Sequence, residues 1–149
     1  MPSIIYHSPI GLLKITESDG AITALGLTEK VETTETTALL EKAKEELEEY
    51  FCGERKNFDL PVTFRGTEFQ KQVWRELQRI PYGKTYTYGQ IAKLIGKEKA
   101  SRAVGGACNR NPLMILVPCH RVVGSNGKLT GFACGLDKKT FLLDLEKQV

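Results

Sequence analysis

Hydrophobic and polar residues alternate along residues 3–27 with the period of two that is typical of β-strands. Two turn sequences interrupt the alternation, Ser8-Pro9-Ile10-Gly11 and Asp19-Gly20. The pattern therefore predicts a small antiparallel meander at the start of the chain.

Apolar residues recur at helical spacing in residues 38–51, after a Thr- and Glu-rich stretch at residues 30–37 that predicts a loop. Gly53 is a plausible end for this helix, and residues 54–66 are predicted to form a connector. The apolar positions of the helix are Leu39, Leu40, Ala43, Leu47 and Tyr50.

Two capping boxes, Thr67-Glu68-Phe69-Gln70 and Thr87-Tyr88-Gly89-Gln90, predict where two further helices begin. The first helix is expected to continue through Ile80 until Pro81-Tyr82-Gly83 ends it, and the second to close at Gly96. A third helix is predicted from near residue 99 to about residue 109. Two short helices joined by a tight turn that contains glycine outline a helix-turn-helix.

A last amphipathic helix is predicted over residues 137–148, with Phe141, Leu142 and Leu145 facing inward. The fold class is therefore α/β (α+β). We expect an N-terminal domain at residues 1–60, with a small antiparallel sheet and a helix. A mainly helical C-terminal domain at residues 61–149 would contain the helix-turn-helix.

Charge is distributed unevenly between these two parts. Residues 1–60 carry six Lys/Arg and twelve Asp/Glu, whereas residues 61–149 carry fifteen and six. The second part could thus attract a polyanion such as nucleic acid, although a solvated surface would also explain the imbalance. No apolar run approaches the length of a membrane span, and no secretory signal is recognisable, so a cytoplasmic protein without membrane contact is expected.

The chain has four cysteines and two histidines, and no two cysteines form a C-x-x-C pair. Reduced thiols are the simplest interpretation. Residues 1–60 offer only His7 and Cys52 as soft metal ligands, so we expect no metal site.

Candidate chemistry is concentrated where an apolar run leads to Cys119, directly followed by His120. A cysteine is a good nucleophile only as the thiolate, which a neighbouring base or positive charge favours. In an extended chain the two side chains would point to opposite faces, so a bridging water could connect them. A carboxylate would have to orient the histidine, and the candidates are Asp137, Asp144 and Glu146. The alternative is that Cys119 is only a small buried side chain.

The segment Pro118-Cys119-His120-Arg121-Val122 resembles the active-site signature of the O6-alkylguanine-DNA alkyltransferases. Residues 60–149 resemble this family closely, and residues 3–57 more loosely. Further matching segments are Tyr82-Gly83-Lys84-Thr85-Tyr86-Thr87-Tyr88-Gly89-Gln90-Ile91-Ala92, Arg102-Ala103-Val104-Gly105-Gly106-Ala107, Asn111-Pro112, and Gly135-Leu136 through Glu146.

The resemblance implies DNA repair by irreversible, single-turnover transfer of an alkyl group from O6-methylguanine, with O4-methylthymine as a further candidate substrate. Cys119 would accept the alkyl group, and His120 would be the base, acting through water. Glu146 would orient His120, which favours it over the other two carboxylates. Tyr88 would help to rotate the nucleotide and to transfer a proton to the leaving guanine. No cofactor is expected.

The implied partner is double-stranded DNA that contains O6-alkylguanine, bound by a monomer in the minor groove without sequence preference. Arg102 would fill the space left by the flipped base, because chemistry on a stacked base requires its extrusion. The other residues predicted to contact DNA are Tyr88, Gly89, Lys97 and Ser125.

Six residues are predicted to shape the pocket or to support it. Asn111 would link the recognition helix to the active-site segment. The others are Met114, Pro118, Phe132, Ala133 and Cys134. The family commonly has Gly-Tyr-x-Gly-Gly-Leu where this chain has Gly131-Phe132-Ala133-Cys134-Gly135-Leu136. We expect Cys134 to narrow the pocket against bulky adducts.

Two other functions are compatible with parts of this pattern. Alkyltransferase-like proteins bind lesions without repairing them, but they typically carry tryptophan at the position of Cys119. A helix-turn-helix regulator would not need the Pro-Cys-His-Arg-Val segment. Its recognition helix would normally present base-reading side chains where this chain has Gly105-Gly106.

Overall fold

The computed structural model describes residues 1–127 and 135–147. Two units can be distinguished within them. The first comprises Met1–Phe64 together with Pro112–Met114, and the second comprises Arg65–Asn111 and the described residues from Ile115 onward.

The first unit contains an antiparallel sheet of three strands in the order β1 (Ser3–Ser8), β2 (Gly11–Ser18) and β3 (Ala21–Leu27). The β2–β3 turn places Asp19 and Gly20 at φ of 52° and 78°. Positive φ at both central residues suits the right-handed twist of a two-residue hairpin. The predicted meander is therefore confirmed.

Helix α1 (Ala38–Phe51) packs against this sheet through Leu40, Leu47 and Tyr50, all fully buried. It begins where the Thr37 hydroxyl accepts a hydrogen bond from the Leu40 amide at 3.1 Å. The segment Pro112–Met114 joins the same unit by pairing with β3. The Leu25 amide donates to the carbonyl of Pro112 at 2.8 Å, and the Met114 amide donates to the carbonyl of Leu25 at 2.9 Å.

The second unit is built on helices α2 (Glu68–Leu77), α3 (Tyr88–Leu94) and α4 (Ser101–Asn109). Both predicted capping boxes are present, at Thr67 and Thr87. Helix α3 ends in a Schellman motif. Gly96 has φ of 77°, and the Lys97 amide donates to the carbonyl of Ala92 at 2.8 Å.

Helix α2 ends at Leu77, three residues earlier than the apolar spacing predicts. The Ile80 amide bonds the carbonyl of Leu77 at 3.1 Å, which is a tighter turn than an α-helix makes. Pro81 explains this ending, because a proline disfavours helical backbone in the residue before it. Ile80 is nevertheless buried, as its place in the apolar pattern suggests.

Two very short strands, β4 (Tyr86–Thr87) and β5 (Val122–Val123), pair in parallel within the second unit. The prediction of a helical second part did not include them. Since Thr87 is also the N-cap of α3, the β4–β5 pair positions the segment around residue 120 beside the start of that helix.

Helix α5 (Leu136–Lys147) was predicted correctly in position, but one predicted inward residue was wrong. Phe141 is 40% exposed, and Leu145 is only partly buried. The buried face instead contains Lys139, Leu142, Leu143 and Glu146. The spacing of the apolar residues alone misplaced the buried face, because two of its positions, Lys139 and Glu146, are charged. The α+β class is confirmed, and no helix of the described part is long and apolar enough to cross a membrane.

Candidate active site

Cys119 lies in a single 3-10 turn, Cys119–Arg121, at the end of the buried apolar run. The turn is closed by the Arg121 amide, which donates to the carbonyl of Pro118 at 3.0 Å. The expected extended conformation, with adjacent side chains on opposite faces, is therefore wrong at this point. The three residues of the turn are all that separate Pro118 from β5. The side chain of Cys119 is held in the interior, with the residue 6% exposed.

Asn111 contacts the thiol directly. Its side-chain Nδ2 donates to the carbonyl of Val117 at 2.8 Å and to Sγ of Cys119 at 3.3 Å. Its backbone amide bonds the carbonyl of Cys108, close to the end of α4, at 3.3 Å. One residue thus connects the end of α4 to the cysteine.

His120 and Glu146 form a completely enclosed pair, with Nε2 of the imidazole 2.6 Å from Oε2 of the carboxylate. Burial lowers the pKa of His120 below its usual value, although the hydrogen bond and the charge of Glu146 oppose this effect. A neutral imidazole must carry its proton on Nε2 to bond a carboxylate. Nδ1, which would then accept a proton, has no hydrogen-bond partner within the described part of the protein.

Several donors of the described residues hold the Glu146 carboxylate. Arg121 bonds both oxygens, from Nε to Oε1 at 2.8 Å and from Nη2 to Oε2 at 3.0 Å. The Gly83 amide adds a bond to Oε1 at 3.2 Å, and Nε2 of His120 bonds Oε2. The other two carboxylates considered for this position, Asp137 and Asp144, are exposed.

Two further buried cations lie at this centre. Arg121 appeared in the sequence only as part of the active-site motif, and Lys139 was not among the predicted site residues. Lys139 is fully buried, donates from Nζ to the carbonyl of Val122 at 2.6 Å, and lies 5.9 Å from the centre of the Tyr88 ring. Burial lowers its pKa, whereas the neighbouring thiols Cys119 and Cys108 act in the opposite direction. Its position seven residues before Glu146, on the same helix face, is the sequence signal that could have indicated it.

Cys108 is the second buried thiol near this centre. Burial raises its pKa to about 12, with the Cys119 thiol as the next cause. Cys108 therefore remains protonated near neutral pH and is a poor nucleophile.

A groove of about 470 Å³ runs along the surface formed by α3 and α4. It brings together four of the residues predicted to contact DNA, Tyr88, Gly89, Arg102 and Ser125, while Lys97 is not among its lining residues. A Cβ added at Gly105 would lie 3.8 Å from the Tyr88 ring, so this glycine leaves room beside the tyrosine. The remaining lining residues are Thr87, Ser101, Gly105 and Asn109.

The residues predicted to shape the pocket are found in different places. Pro118 is buried at the start of the 3-10 turn, and Met114 is buried in the first unit beside β3. Phe132, Ala133 and Cys134 lie outside the described residues. Within the described residues, no group of three or more His, Cys, Asp or Glu side chains could hold a metal ion.

Two family models match the chain. The 6-O-methylguanine DNA methyltransferase, DNA binding domain, matches residues 68–148, and the ribonuclease-like domain of the same family matches residues 3–64. The chain therefore belongs to the 6-O-methylguanine DNA methyltransferase family.

Individual relatives agree with this assignment. The chain is 51% identical over 149 residues to a methylated-DNA–protein-cysteine methyltransferase of Methanosarcina acetivorans, covering 95% of this chain and 96% of the relative. It is similar to the structure of Mycobacterium tuberculosis OGT in complex with DNA, with a TM-score of 0.90, 43% identity, and coverage of 97% and 92% of the two chains. Schizosaccharomyces pombe Atl1, solved with damaged DNA that contains O6-carboxymethylguanine, matches 55% of this chain and 78% of its own, at a TM-score of 0.50 and 34% identity.

Proposed function

We infer that this protein repairs DNA by transferring an alkyl group from O6-methylguanine to one of its own cysteines, and we propose Cys119 as the acceptor. The observation that carries the assignment is the contact of the buried Cys119 thiol with Asn111, immediately before the enclosed His120–Glu146 pair. Cys108 is a weaker candidate, because burial raises its pKa to about 12.

His120 is the proposed base. Glu146 holds a proton on Nε2, which leaves the Nδ1 lone pair to accept the thiol proton through a bridging water. The thiolate then attacks the methyl carbon in line with the bond to O6. A carbon–sulfur bond forms as the carbon–oxygen bond breaks, and its electron pair leaves with guanine. The product thioether has no low-energy route to hydrolysis, so each molecule reacts once and needs no cofactor.

Tyr88 is the proposed proton donor to the leaving guanine. Its position at the first residue of α3, in the wall of the groove, supports this role, as does the Lys139 ammonium 5.9 Å from its ring centre. A nearby positive charge favours the phenolate that remains after the proton has been given up.

The groove lined by Tyr88, Gly89, Arg102 and Ser125 is the proposed DNA interface. We propose that a monomer binds double-stranded DNA here, in the minor groove and without sequence preference, with Lys97 as a further phosphate contact. Extruding a base costs a few kcal/mol, and an inserted Arg102 side chain would offset part of that cost.

We also propose that residues 61–149 carry both DNA binding and transfer, and that residues 1–60 form a separate N-terminal domain. A cytoplasmic location suits an acceptor that must remain a free thiol.

Cys134 is proposed to narrow the pocket. Equal reaction rates of the wild type and Cys134→Gly with O6-benzylguanine would contradict that role.

The decisive experiment is incubation with a duplex that contains O6-methylguanine, followed by intact mass measurement and peptide mapping. One methyl group per protein, located on Cys119, is expected. Cys119→Ala should bind the duplex but accept no methyl group, whereas the matched control Cys108→Ala should still be methylated on Cys119. Binding without transfer by the wild type would indicate a lesion-binding protein instead, and repeated turnover would refute the mechanism.

A further inference from the structure

Arg121 connects three elements of the second unit through one buried guanidinium. Nη1 donates to the carbonyl of Ile80 at 2.7 Å, just beyond the end of α2, and Nε and Nη2 bond the two oxygens of Glu146 on α5. The residue is only 7% exposed. A planar guanidinium bonded in this paired manner fixes the orientation of a carboxylate, which a lysine could not do.

These bonds hold the Glu146 carboxylate in one orientation. Within the described part of the chain, Oε1 is bonded by Arg121 and Gly83, and Oε2 by Arg121 and His120. Hydrogen bonds of this number to the charged form favour the ionised carboxylate. Oε2 therefore presents a fixed acceptor to Nε2 of His120.

We propose that Arg121 is a positioning residue for transfer, which holds Glu146 ionised and keeps His120 neutral with its free lone pair on Nδ1. The inference rests on the proposed role of His120 as the base. Without Arg121, the buried negative charge of Glu146 would be balanced by a proton on His120. That proton would occupy Nδ1, the atom that must accept the proton of Cys119.

The charged groups around His120 agree with this role. Glu146 of α5 favours the protonated imidazole, while Lys139 of α5 and Arg121 of the turn itself both disfavour it. The buried residues of α2, which also packs against the turn, are Val73, Trp74 and Leu77, and none of them titrates near neutral pH. Removing Arg121 thus deletes one of the two cations that oppose Glu146.

The test combines transfer kinetics with NMR in the wild type, Arg121→Gln and Arg121→Lys. In Arg121→Gln the fall of the single-turnover methylation rate on acidification should begin at a higher pH than in the wild type. The ratio of the rates at pH 8 and pH 6 should therefore rise roughly tenfold. Arg121→Lys keeps the charge but loses the paired bonds. In Arg121→Lys the rate should therefore fall on acidification at about the same pH as in the wild type, while the maximal rate is lower. Arg110 is an exposed arginine of the same unit, so Arg110→Gln is the matched control. Its pH dependence and its maximal rate should both match those of the wild type.

Long-range proton–nitrogen NMR reports the same property without requiring activity, and the chain has only two histidines to assign, His7 and His120. His120 of the wild type should carry its proton on Nε2 and remain neutral at pH 7, and it should titrate at higher pH in Arg121→Gln. If Arg121→Gln does not fold, the wild-type tautomer and the Arg121→Lys titration still test the proposal.

An imidazolium at His120 of the wild type at pH 7 would overturn the proposal, as would an unchanged pH dependence of the rate in a folded Arg121→Gln. A uniform loss of rate at every pH in both variants would show that Arg121 is merely structural. If His120 responds to Arg121 as expected but the wild type takes no methyl group from DNA, the proposed function fails and the role of Arg121 stands.

Discussion

The side-chain amide of Asn111 lies 3.3 Å from Sγ of Cys119, and the same nitrogen donates to the carbonyl of Val117 at 2.8 Å. The amide nitrogen thus makes two contacts with the segment that carries the thiol. A donor pointing at sulfur stabilises the thiolate more than the thiol, because hydrogen bonds to charged groups are stronger than those to neutral ones. Asn111 thus has both a structural and an electrostatic relationship to the proposed acceptor.

Asn111→Ala should reduce the methylation rate about tenfold or more, since a hydrogen bond to a charged group contributes about 1.5–3 kcal/mol. Single-turnover kinetics with a duplex that contains O6-methylguanine measure the effect. The exposed Asn57→Ala is the control and should react at the wild-type rate. A wild-type rate for Asn111→Ala would show that the contact with Sγ does not assist the reaction.

The buried imidazole of His120 should make the protein less stable in mild acid. Burial lowers the pKa of His120, whereas an unfolded histidine has a pKa of about 6.5. Between these two values the unfolded chain binds a proton that the folded chain does not, so the free energy of unfolding falls as the pH falls. The slope contributed by one proton is at most about 1.4 kcal/mol per pH unit.

Urea unfolding at a series of pH values from 7 downward measures this slope. His120→Gln should lose the component, and the exposed His7→Gln should retain it. An unchanged slope in His120→Gln would mean that other groups cause the acid sensitivity.

The elements that sequence patterns predicted well are those with a local cause. The three strands follow from alternation within each strand, and the starts of α2 and α3 follow from Thr67 and Thr87, whose hydroxyls bond amides three residues away. Strands β4 and β5 have only two residues each, which is too short for a period to be visible.

The buried charged residues of α5 were missed for a different reason, because their spacing shows a shared face but not that this face is buried. Lys139 is buried because its amine reaches the carbonyl of Val122, a partner that only the tertiary structure supplies. Cys119, His120 and Glu146 were selected by a local motif together with a family resemblance. That Arg121 holds both oxygens of Glu146 depends on the packing of α5 against the turn, which no local pattern encodes.

Arg102→Ala should impair reaction with duplex DNA without impairing alkyl transfer itself. Arg102 is exposed and lines the groove together with Tyr88. The variant should react more slowly with O6-methylguanine in duplex DNA but at the wild-type rate with free O6-benzylguanine. Arg110→Ala, at the exposed end of α4, is the control. Equal losses on both substrates would place Arg102 in the chemistry rather than in DNA binding.

Lys97→Ala should weaken binding to all duplexes equally, because a phosphate contact carries no sequence information. The slope of the logarithm of affinity against the logarithm of salt concentration should decrease by about one. Fluorescence anisotropy with damaged and undamaged duplexes measures both quantities. An unchanged salt slope would remove Lys97 from the DNA interface.

The two capping boxes provide a matched pair that separates stability from function. Thr67 and Thr87 make equivalent bonds, accepting from the amides of Gln70 and Gln90 at 3.1 and 3.0 Å. Replacement of either threonine by alanine should therefore cost about 1 kcal/mol of stability. Only Thr87, however, precedes Tyr88 and lines the groove.

We accordingly expect Thr87→Ala to lower the rate of repair of duplex DNA several-fold beyond Thr67→Ala, although urea unfolding should give similar losses for the two variants. The physical reason is that fraying of the first turn of α3 moves the Tyr88 side chain, whereas fraying of α2 leaves the groove intact. Equal repair rates in the two variants would indicate that the position of Tyr88 is set by its tertiary neighbours, such as Lys139, rather than by the cap.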